Sequence, residues 1–288
     1  MSKNYPRMLI LGGNGMLGQD LTQQSSAISL AKKDCDITDP HSIHNAIHTH
    51  QPNIVINCAA YTQVDLAERE AERAHIINAE GAKNIAQACV KADVSLIHIS
   101  TDYVFDGTKS APYLETDQCN PLSVYGKSKY EGEKSILFYM PDAKIIRTQW
   151  LYGHGGGNFV ETMIRLGTTR DQISVIHDQL GTPTSTHDLA KAILLISQQS
   201  ASGIFHIRNT GSTSWYGFAK EIFAQMDIAC TVLPITTEEY PLPATRPQNG
   251  TLSMHRWQKE LSLPELAHWK SALQQYLKTR QIRKDHIQ

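Results

Sequence analysis

Met8-Leu9-Ile10-Leu11-Gly12-Gly13-Asn14-Gly15-Met16-Leu17-Gly18 is the stretch whose reading decides the fold. The unbroken apolar run at 8–11 reads as a strand buried on both faces, as in parallel sheets covered by helices. Gly12, Gly15 and Gly18 follow with the spacing G-x-x-G-x-x-G, where the strand gives way to a helical pattern. Gly12 permits a tight turn, Gly15 lets a ligand approach the backbone, and Gly18 lets helix and strand pack closely. A helix opening behind such a turn offers free N–H groups and a partial positive charge, which suits a dinucleotide diphosphate.

Outward from this turn, short β-branched runs alternate with helical stretches, the pattern of a parallel sheet flanked by helices. Strands are expected at 8–11, 27–30, 54–58, 96–100 and 144–147, with further strands at 174–176, 204–207 and 231–233. Asp39-Pro40 has the form of a helix N-cap with proline in the first turn. The stretch 64–91 reads as helical and interrupted at Gly81, as one bent helix or two. Later helices are expected near 186–197, 214–226 and 265–278, and Gly153-His154-Gly155-Gly156-Gly157 reads as a flexible loop ahead of Asn158. The basic run Arg280-Gln281-Ile282-Arg283-Lys284 reads as a solvated tail. The division that results is a dinucleotide-binding domain over 1–150 and a substrate-binding lobe over 151–288, some of whose segments return to the first domain.

Composition narrows the class. With 288 residues, 41% of them apolar and 19% charged, the chain can bury a full core. A formal net charge of −1 carries no basic excess for a nucleic-acid partner. Five cysteines (Cys35, Cys58, Cys89, Cys119 and Cys230) form no CxxC pair, which points to a reducing compartment and away from a disulfide framework or structural zinc. The apolar run after Arg7 is too short for a signal peptide or for a span of about 20 residues. The expectation is a cytoplasmic protein with no membrane partner. His41, His44, His48 and His50 share a helical stretch without an acidic or cysteine pattern beside them, so they read as a polar face, and no metal is expected.

Coenzyme choice turns on the end of the second strand. A carboxylate there would bind the adenosine ribose and favour NAD. The chain has Ala31-Lys32-Lys33 instead, and Lys32 beside a 2′-phosphate favours NADPH over NADH.

Two further motifs carry chemistry. Tyr125-Gly126-Lys127-Ser128-Lys129 sets a phenol and an ammonium four residues apart, on one helix face. A free tyrosine has a pKa near about 10, and a cation beside it brings the phenol into range for general acid work. The strand at 96–100 runs into Ser100-Thr101-Asp102-Tyr103, and in open parallel sheets ligands bind at the carboxyl ends of strands. A Thr101 hydroxyl there can hydrogen-bond a carbonyl oxygen as it becomes an alkoxide.

The order Gly12–Gly18, Asn57-Cys58-Ala59-Ala60-Tyr61, Ser100-Thr101-Asp102-Tyr103-Val104-Phe105-Asp106-Gly107 and Tyr125 to Lys129 resembles the extended short-chain dehydrogenase/reductase family. Arg147-Thr148-Gln149-Trp150-Leu151-Tyr152-Gly153, Asn158-Phe159, Asp178-Gln179-Leu180-Gly181-Thr182-Pro183-Thr184 and Thr213-Ser214-Trp215-Tyr216 narrow the likeness to its dTDP-4-dehydrorhamnose reductase branch. The resemblance covers nearly the whole chain. It implies an α/β fold, a Rossmann-type doubly wound parallel sheet with a smaller mixed α/β substrate-binding lobe. It implies NAD(P)H-dependent reduction of the C4 keto group of dTDP-4-dehydro-L-rhamnose, with Thr101, Tyr125 and Lys129 catalytic. It further implies cofactor contacts from Gly15, Met16, Leu17, Asp36, Ile37, Ala59, Ala60 and Tyr61, and substrate contacts from Asp102, Trp150 and Asn158. Where the family carries two arginines before a proline, this chain has Ala244-Thr245-Arg246-Pro247, which leaves Arg246 to meet a substrate phosphate. Trp150 is equally well accounted for by core packing. Three activities remain open: this reductase, a reductase of another 4-keto sugar nucleotide, and a non-catalytic dinucleotide-binding regulatory subunit that keeps the Tyr–Lys pair. Assembly as a homodimer is open as well.

Overall fold

The computed structural model describes residues 6–285. The amino-terminal residues 1–5, part of the segment read above for a targeting signal, lie outside the described residues. Six parallel strands form the central sheet, in the order Gly203–His206, Lys144–Thr148, Ser95–Thr101, Ile54–Asn57, Met8–Leu11, Ile28–Leu30. The chain starts in the sheet at Met8–Leu11, steps to one edge, then returns and builds toward the other edge. That reversal opens a crevice at the carboxyl ends of Met8–Leu11 and Ile54–Asn57, where open α/β sheets take ligands.

Strand side chains alternate between two cores. Met8, Ile10, Ile56 and Ile97 join Leu17, Leu21, Leu189, Ile193 and Trp257 on one face. Leu9, Leu11, Val55 and Leu96 join Ile43, Ile47, Ile85 and Ile136 on the other. Burial on both faces is why these strands read as continuous apolar runs rather than alternating ones. Ile28–Leu30 is the exception: it lies at the sheet edge and is only half-buried.

A third core surrounds Tyr152, Val160, Met163, Val175, Phe218, Phe223, Trp269 and Leu273. It holds the helices Phe159–Gly167, Trp215–Met226 and Trp269–Asp285 against the parallel pair Gln172–Ile176 and Thr231–Ile235. Asp39 caps the helix Pro40–His50 through the His41 amide at 2.9 Å, and His44 stacks on His48 along its exposed face.

Two expectations are corrected. The break in 64–91 falls between Val64–Ala67 and Ala71–His75, whereas Gly81 opens the helix Gly81–Ala92 directly behind a π-turn at Ile76–Glu80. A Cβ at Gly81 would lie 2.9 Å from Ile37 Cδ1, so the glycine marks close packing and not an interruption. Arg280, expected in a solvated tail, belongs to the helix Trp269–Asp285 and forms a two-point ion pair with Glu161, at 2.5 and 2.8 Å. Among the described residues, no helix is long and apolar enough to cross a membrane.

Candidate active site

The glycine turn is held by its own backbone. Gly12 and Gly13 both donate to Leu30 O, at 3.0 and 2.9 Å, which ties the turn to the second strand. Gly12 has φ +82°, and a Cβ there would sit 2.6 Å from Ala59 N. Gly15 is the N-cap of the helix Met16–Gln24 and supplies no side-chain cap. The first amides of a helix lack intrahelical acceptors, and the open side of Gly15 meets only Gly12 O, at 3.3 Å. An uncapped helix start behind a bare glycine is a cradle that a side chain would fill, and it fits a dinucleotide diphosphate.

Two adjoining clefts meet over Gly15, Cys58 and Ala60. One is lined by Gly12, Lys32, Asp36, Ile37 and Ala59. The other is lined by Met16, Leu17, Gly18, Ser100, Tyr125 and Lys129, with Gly155, Gly156 and Gly157 across from them. Lys32 is exposed and stands 3.8 Å from Asp36, whose carboxyl the Thr38 backbone N–H holds below the usual range. Tyr61 turns away from both clefts: its hydroxyl donates to Glu70 at 3.0 Å, and its ring packs with Ala67, Ala74 and Tyr125.

Tyr125 and Lys129 lie on the helix Val124–Tyr139. Ser123 caps that helix through the Gly126 amide at 3.1 Å, and Glu68 accepts from the Val124 amide at 2.8 Å. A Cβ on Gly126 would lie 2.2 Å from Tyr103 O, so only glycine lets the helix approach the end of the strand Ser95–Thr101. Lys129 Nζ donates to Ile99 O at 2.7 Å and lies 3.2 Å from His98 Nε2. Burial lowers its pKa to about 8, against an opposing pull from Glu133. Burial also pushes the Tyr125 phenol up to about 12, with a hydrogen bond from Thr101 drawing it down. The expected lowering of Tyr125 by Lys129 does not occur in this arrangement, because the ammonium is spent on a backbone carbonyl and an imidazole. A phenol that keeps its proton at neutral pH is nonetheless what a proton donor requires.

Thr101 and Asp102 are buried at the strand end. Thr101 Oγ1 lies 3.1 Å from Asp102 Oδ1 and accepts from the Tyr103 amide at 3.2 Å. Burial raises the Asp102 carboxyl to about 7.

Sequence reasoning missed the floor of the cleft. Arg147 pairs with Glu133 there, and Ser100 donates to Glu133 Oε1 at 2.5 Å. Glu133 was legible in principle, being four residues beyond Lys129 and on the same helix face. Asn57 joins this layer through His98 Nδ1 at 3.0 Å.

The remaining candidates lie outside the central sheet. Trp150 has φ +47°, a strained value for a bulky residue, and its ring stacks on Trp215 with centroids 3.5 Å apart. Asn158 caps the helix Phe159–Gly167 through the Glu161 amide at 3.1 Å and donates to Gly153 O at 2.9 Å. Arg246 grips Asp65 at two points, 3.0 and 2.6 Å.

A doubly wound parallel sheet with a glycine cradle at its switch point, and a Tyr–Lys pair in the same crevice, defines the short-chain dehydrogenase/reductase class. Within that class the chain belongs to the family described as RmlD substrate binding domain, whose profile matches residues 6–282. It is 41% identical over 279 residues to the spore coat polysaccharide biosynthesis protein SpsK of Bacillus subtilis, covering 95% of this chain and 98% of that protein. It is 40% identical to a dTDP-4-dehydrorhamnose reductase of Streptomyces griseus, covering 93% of this chain and 92% of that one. The crystal structure of the Clostridium acetobutylicum dTDP-4-dehydrorhamnose reductase superposes with a TM-score of 0.92 at 43% identity, covering 96% of this chain and 99% of that one. The Bacillus anthracis enzyme, solved in complex with NADP, does so with a TM-score of 0.92 at 38% identity, covering 96% and 99%.

Proposed function

We propose that this chain reduces the C4 keto group of dTDP-4-dehydro-L-rhamnose to give dTDP-L-rhamnose, with NADPH as the preferred coenzyme. The observation that carries the reading is that Tyr125 and Lys129 line the same cleft as Gly15, Met16, Leu17 and Gly18. When bound, the nicotinamide supplies the hydride that adds to the carbonyl carbon. Tyr125 donates its proton to the oxygen that becomes the new hydroxyl, and Thr101 donates a hydrogen bond that stabilises the developing alkoxide. The ammonium of Lys129 orients the nicotinamide ribose. Backbone amides of Met16 and Leu17 hold the diphosphate, and Gly12 and Gly18 keep the turn tight enough for it to approach.

Lys32 reaches the adenosine 2′-phosphate, Asp36 and Ile37 flank the adenine, and Ala59 and Ala60 form the wall behind it, while Tyr61 packs outside the cleft against Tyr125. On the substrate side, Trp150 borders the sugar, and Asp102 lies buried behind Thr101. Asn158 and Arg246 face the nucleotide diphosphate, and Arg246 exchanges Asp65 for a phosphate as substrate enters. The relatives support the sugar assignment, since those from Streptomyces griseus and Clostridium acetobutylicum carry this activity in their names. The NADP held by the Bacillus anthracis structure supports the coenzyme. We place the protein in the cytoplasm, in keeping with its five free cysteines.

The test is to mix purified protein with dTDP-4-dehydro-L-rhamnose and NADPH, follow loss of NADPH absorbance, and assign the C4 configuration of the product by NMR. The expected product is dTDP-L-rhamnose. NADPH oxidation only with a different 4-keto sugar nucleotide would move the substrate. No oxidation with any of them would leave a binding subunit.

A further inference from the structure

The hydroxyl of Thr101 has one hydrogen and two lone pairs, and its neighbours fix how they are used. The Tyr103 amide occupies one lone pair at 3.2 Å. Asp102 Oδ1 stands 3.1 Å away on a second side, and the Tyr125 phenol, whose pKa Thr101 draws down, lies beyond it in the cleft. If Asp102 is a carboxylate, Oδ1 can only accept, so the single Thr101 hydrogen must turn to it and away from Tyr125. If Asp102 is a carboxylic acid, Oδ1–H donates to the remaining lone pair, and the Thr101 hydrogen is released toward Tyr125 and the carbonyl beside it.

The surroundings of Asp102 select the second arrangement. The residue is 2% exposed, and Oδ2 is buried without a hydrogen-bond partner. Oδ2 lies against the backbone of Gly250, where a Cβ would come within 2.5 Å of it and 3.6 Å of Gln149 Oε1. Of the titratable groups that face it, Tyr103 and Tyr125 are phenols, whose own pKa values burial raises. Arg246 bonds Asp65, Ala244 and Tyr103. Lys129 on the adjoining helix face directs its ammonium to Ile99 and His98. Gln149 and Gly250 carry no charge. The Thr101 hydroxyl and the Asp102 and Tyr103 amides favour the carboxylate, but with the group enclosed and Oδ2 unbonded the desolvation cost outweighs them, and a proton removes it.

We propose that Asp102 is a positioning residue, held as a carboxylic acid, whose proton aims the Thr101 hydroxyl hydrogen at Tyr125 and the reacting carbonyl. With Asp102 protonated, the one Thr101 hydrogen faces the cleft, where it meets Tyr125 before substrate binds and the oxygen that accumulates charge once substrate is in place, so the dipoles are set before the reaction starts. No bond to Asp102 is made or broken in turnover. The reductase reading supplies the reaction, and on that reading this inference rests. Its consequence is a loss of rate as pH rises through the Asp102 titration. That titration lies near 7, where burial puts it, and is distinct from the loss of charge at Lys129 near 8.

Two measurements decide the matter. The first is the infrared carboxyl band of protein labelled with 13C-aspartate, titrated between pH 5 and pH 9 without any substrate. Among the described residues each other aspartate with a displaced pKa is displaced downward, so a protonated band persisting above pH 6 is assigned to Asp102. The second is the pH profile of kcat for wild type and for Asp102→Asn, whose amide N–H donates to Thr101 at every pH. Wild type is expected to lose about tenfold per pH unit above the carboxyl titration, as for any single essential proton. Asp102→Asn is expected to lose that limb and keep the one from Lys129, and the shape of the profile rather than its height is what counts. A band already absent at pH 6, or a variant profile that retains the wild-type limb, overturns the proposal. If Asp102→Asn does not fold, the wild-type band decides alone. Failure of the wild type to reduce any sugar nucleotide counts against the reductase reading and leaves the infrared result standing.

Discussion

Arg147 and Glu133 form a two-point ion pair beneath the cleft, Nη2 to Oε2 at 2.6 Å and Nε to Oε1 at 2.9 Å, with side chains only 2% and 1% exposed. Glu133 stands one helical turn beyond Lys129, and its charge acts on that lysine. Removing one partner of such a pair strands a buried charge, at a cost of about 3–5 kcal/mol. Glu133→Gln should therefore lower the unfolding free energy by about that amount in urea titrations. A loss below about 1 kcal/mol would show that the pair contributes as little as a surface contact.

Tyr125 holds its proton because burial raises its pKa to about 12. Tyr125→Phe keeps the ring, its edge contact with Tyr103 at 5.5 Å and its place among Tyr61 and Ala67. Only the acid is lost. Turnover should fall by at least about a hundredfold, the lower end of what general acid catalysis contributes. NADPH affinity from fluorescence titration should change little. Wild-type turnover in this variant would reassign the proton donor.

Lys129 is charged below a pKa of about 8 and neutral above it, since burial disfavours the ammonium. Glu133 opposes that shift, so its charge keeps the lysine protonated at neutral pH. NADPH affinity should weaken as pH rises from 7 to 9 in wild type and stay flat in Lys129→Met, measured by calorimetry at each pH. In Glu133→Gln the same weakening should begin at lower pH. An affinity independent of pH in wild type would mean that the ammonium plays no part in binding.

What could be read in the sequence was local and periodic. The run Met8–Leu11 and the spacing of Gly12, Gly15 and Gly18 predicted a strand, a turn and a helix start, and all three are found. Tyr125 and Lys129 could be paired because four residues make one helical turn. Contacts between distant segments left no such mark. Gly81 looked like an interruption because glycine is unfavourable inside helices, yet its reason is Ile37, far back in the chain. Arg280 looked like tail because its partner, Glu161, lies on another helix. Asp102 gave no hint of its enclosure, which depends on Gly250 arriving from the far end of the chain.

Arg246 was singled out as a phosphate ligand, and the fold places it in the grip of Asp65. Its guanidinium meets both carboxylate oxygens, at 3.0 and 2.6 Å, and Asp65 also accepts from the Ala244 amide at 3.2 Å. The arginine side chain is 15% exposed and the aspartate 38%, so solvent and an incoming anion reach the pair mainly from the Asp65 side. A substrate diphosphate that takes Arg246 must displace this carboxylate, and the two contacts then compete for one guanidinium. The competition predicts opposite effects from its two members. Arg246→Ala removes a charge-assisted hydrogen bond of about 1.5–3 kcal/mol, which should raise KM for the sugar nucleotide by about tenfold or more. Asp65→Asn weakens the competitor and should lower KM, with kcat little changed because neither residue lines the cleft at Tyr125. Steady-state kinetics of both variants, at saturating NADPH, make the comparison. A KM that rises in both would mean that Asp65 holds the arginine in its working position and does not withhold it.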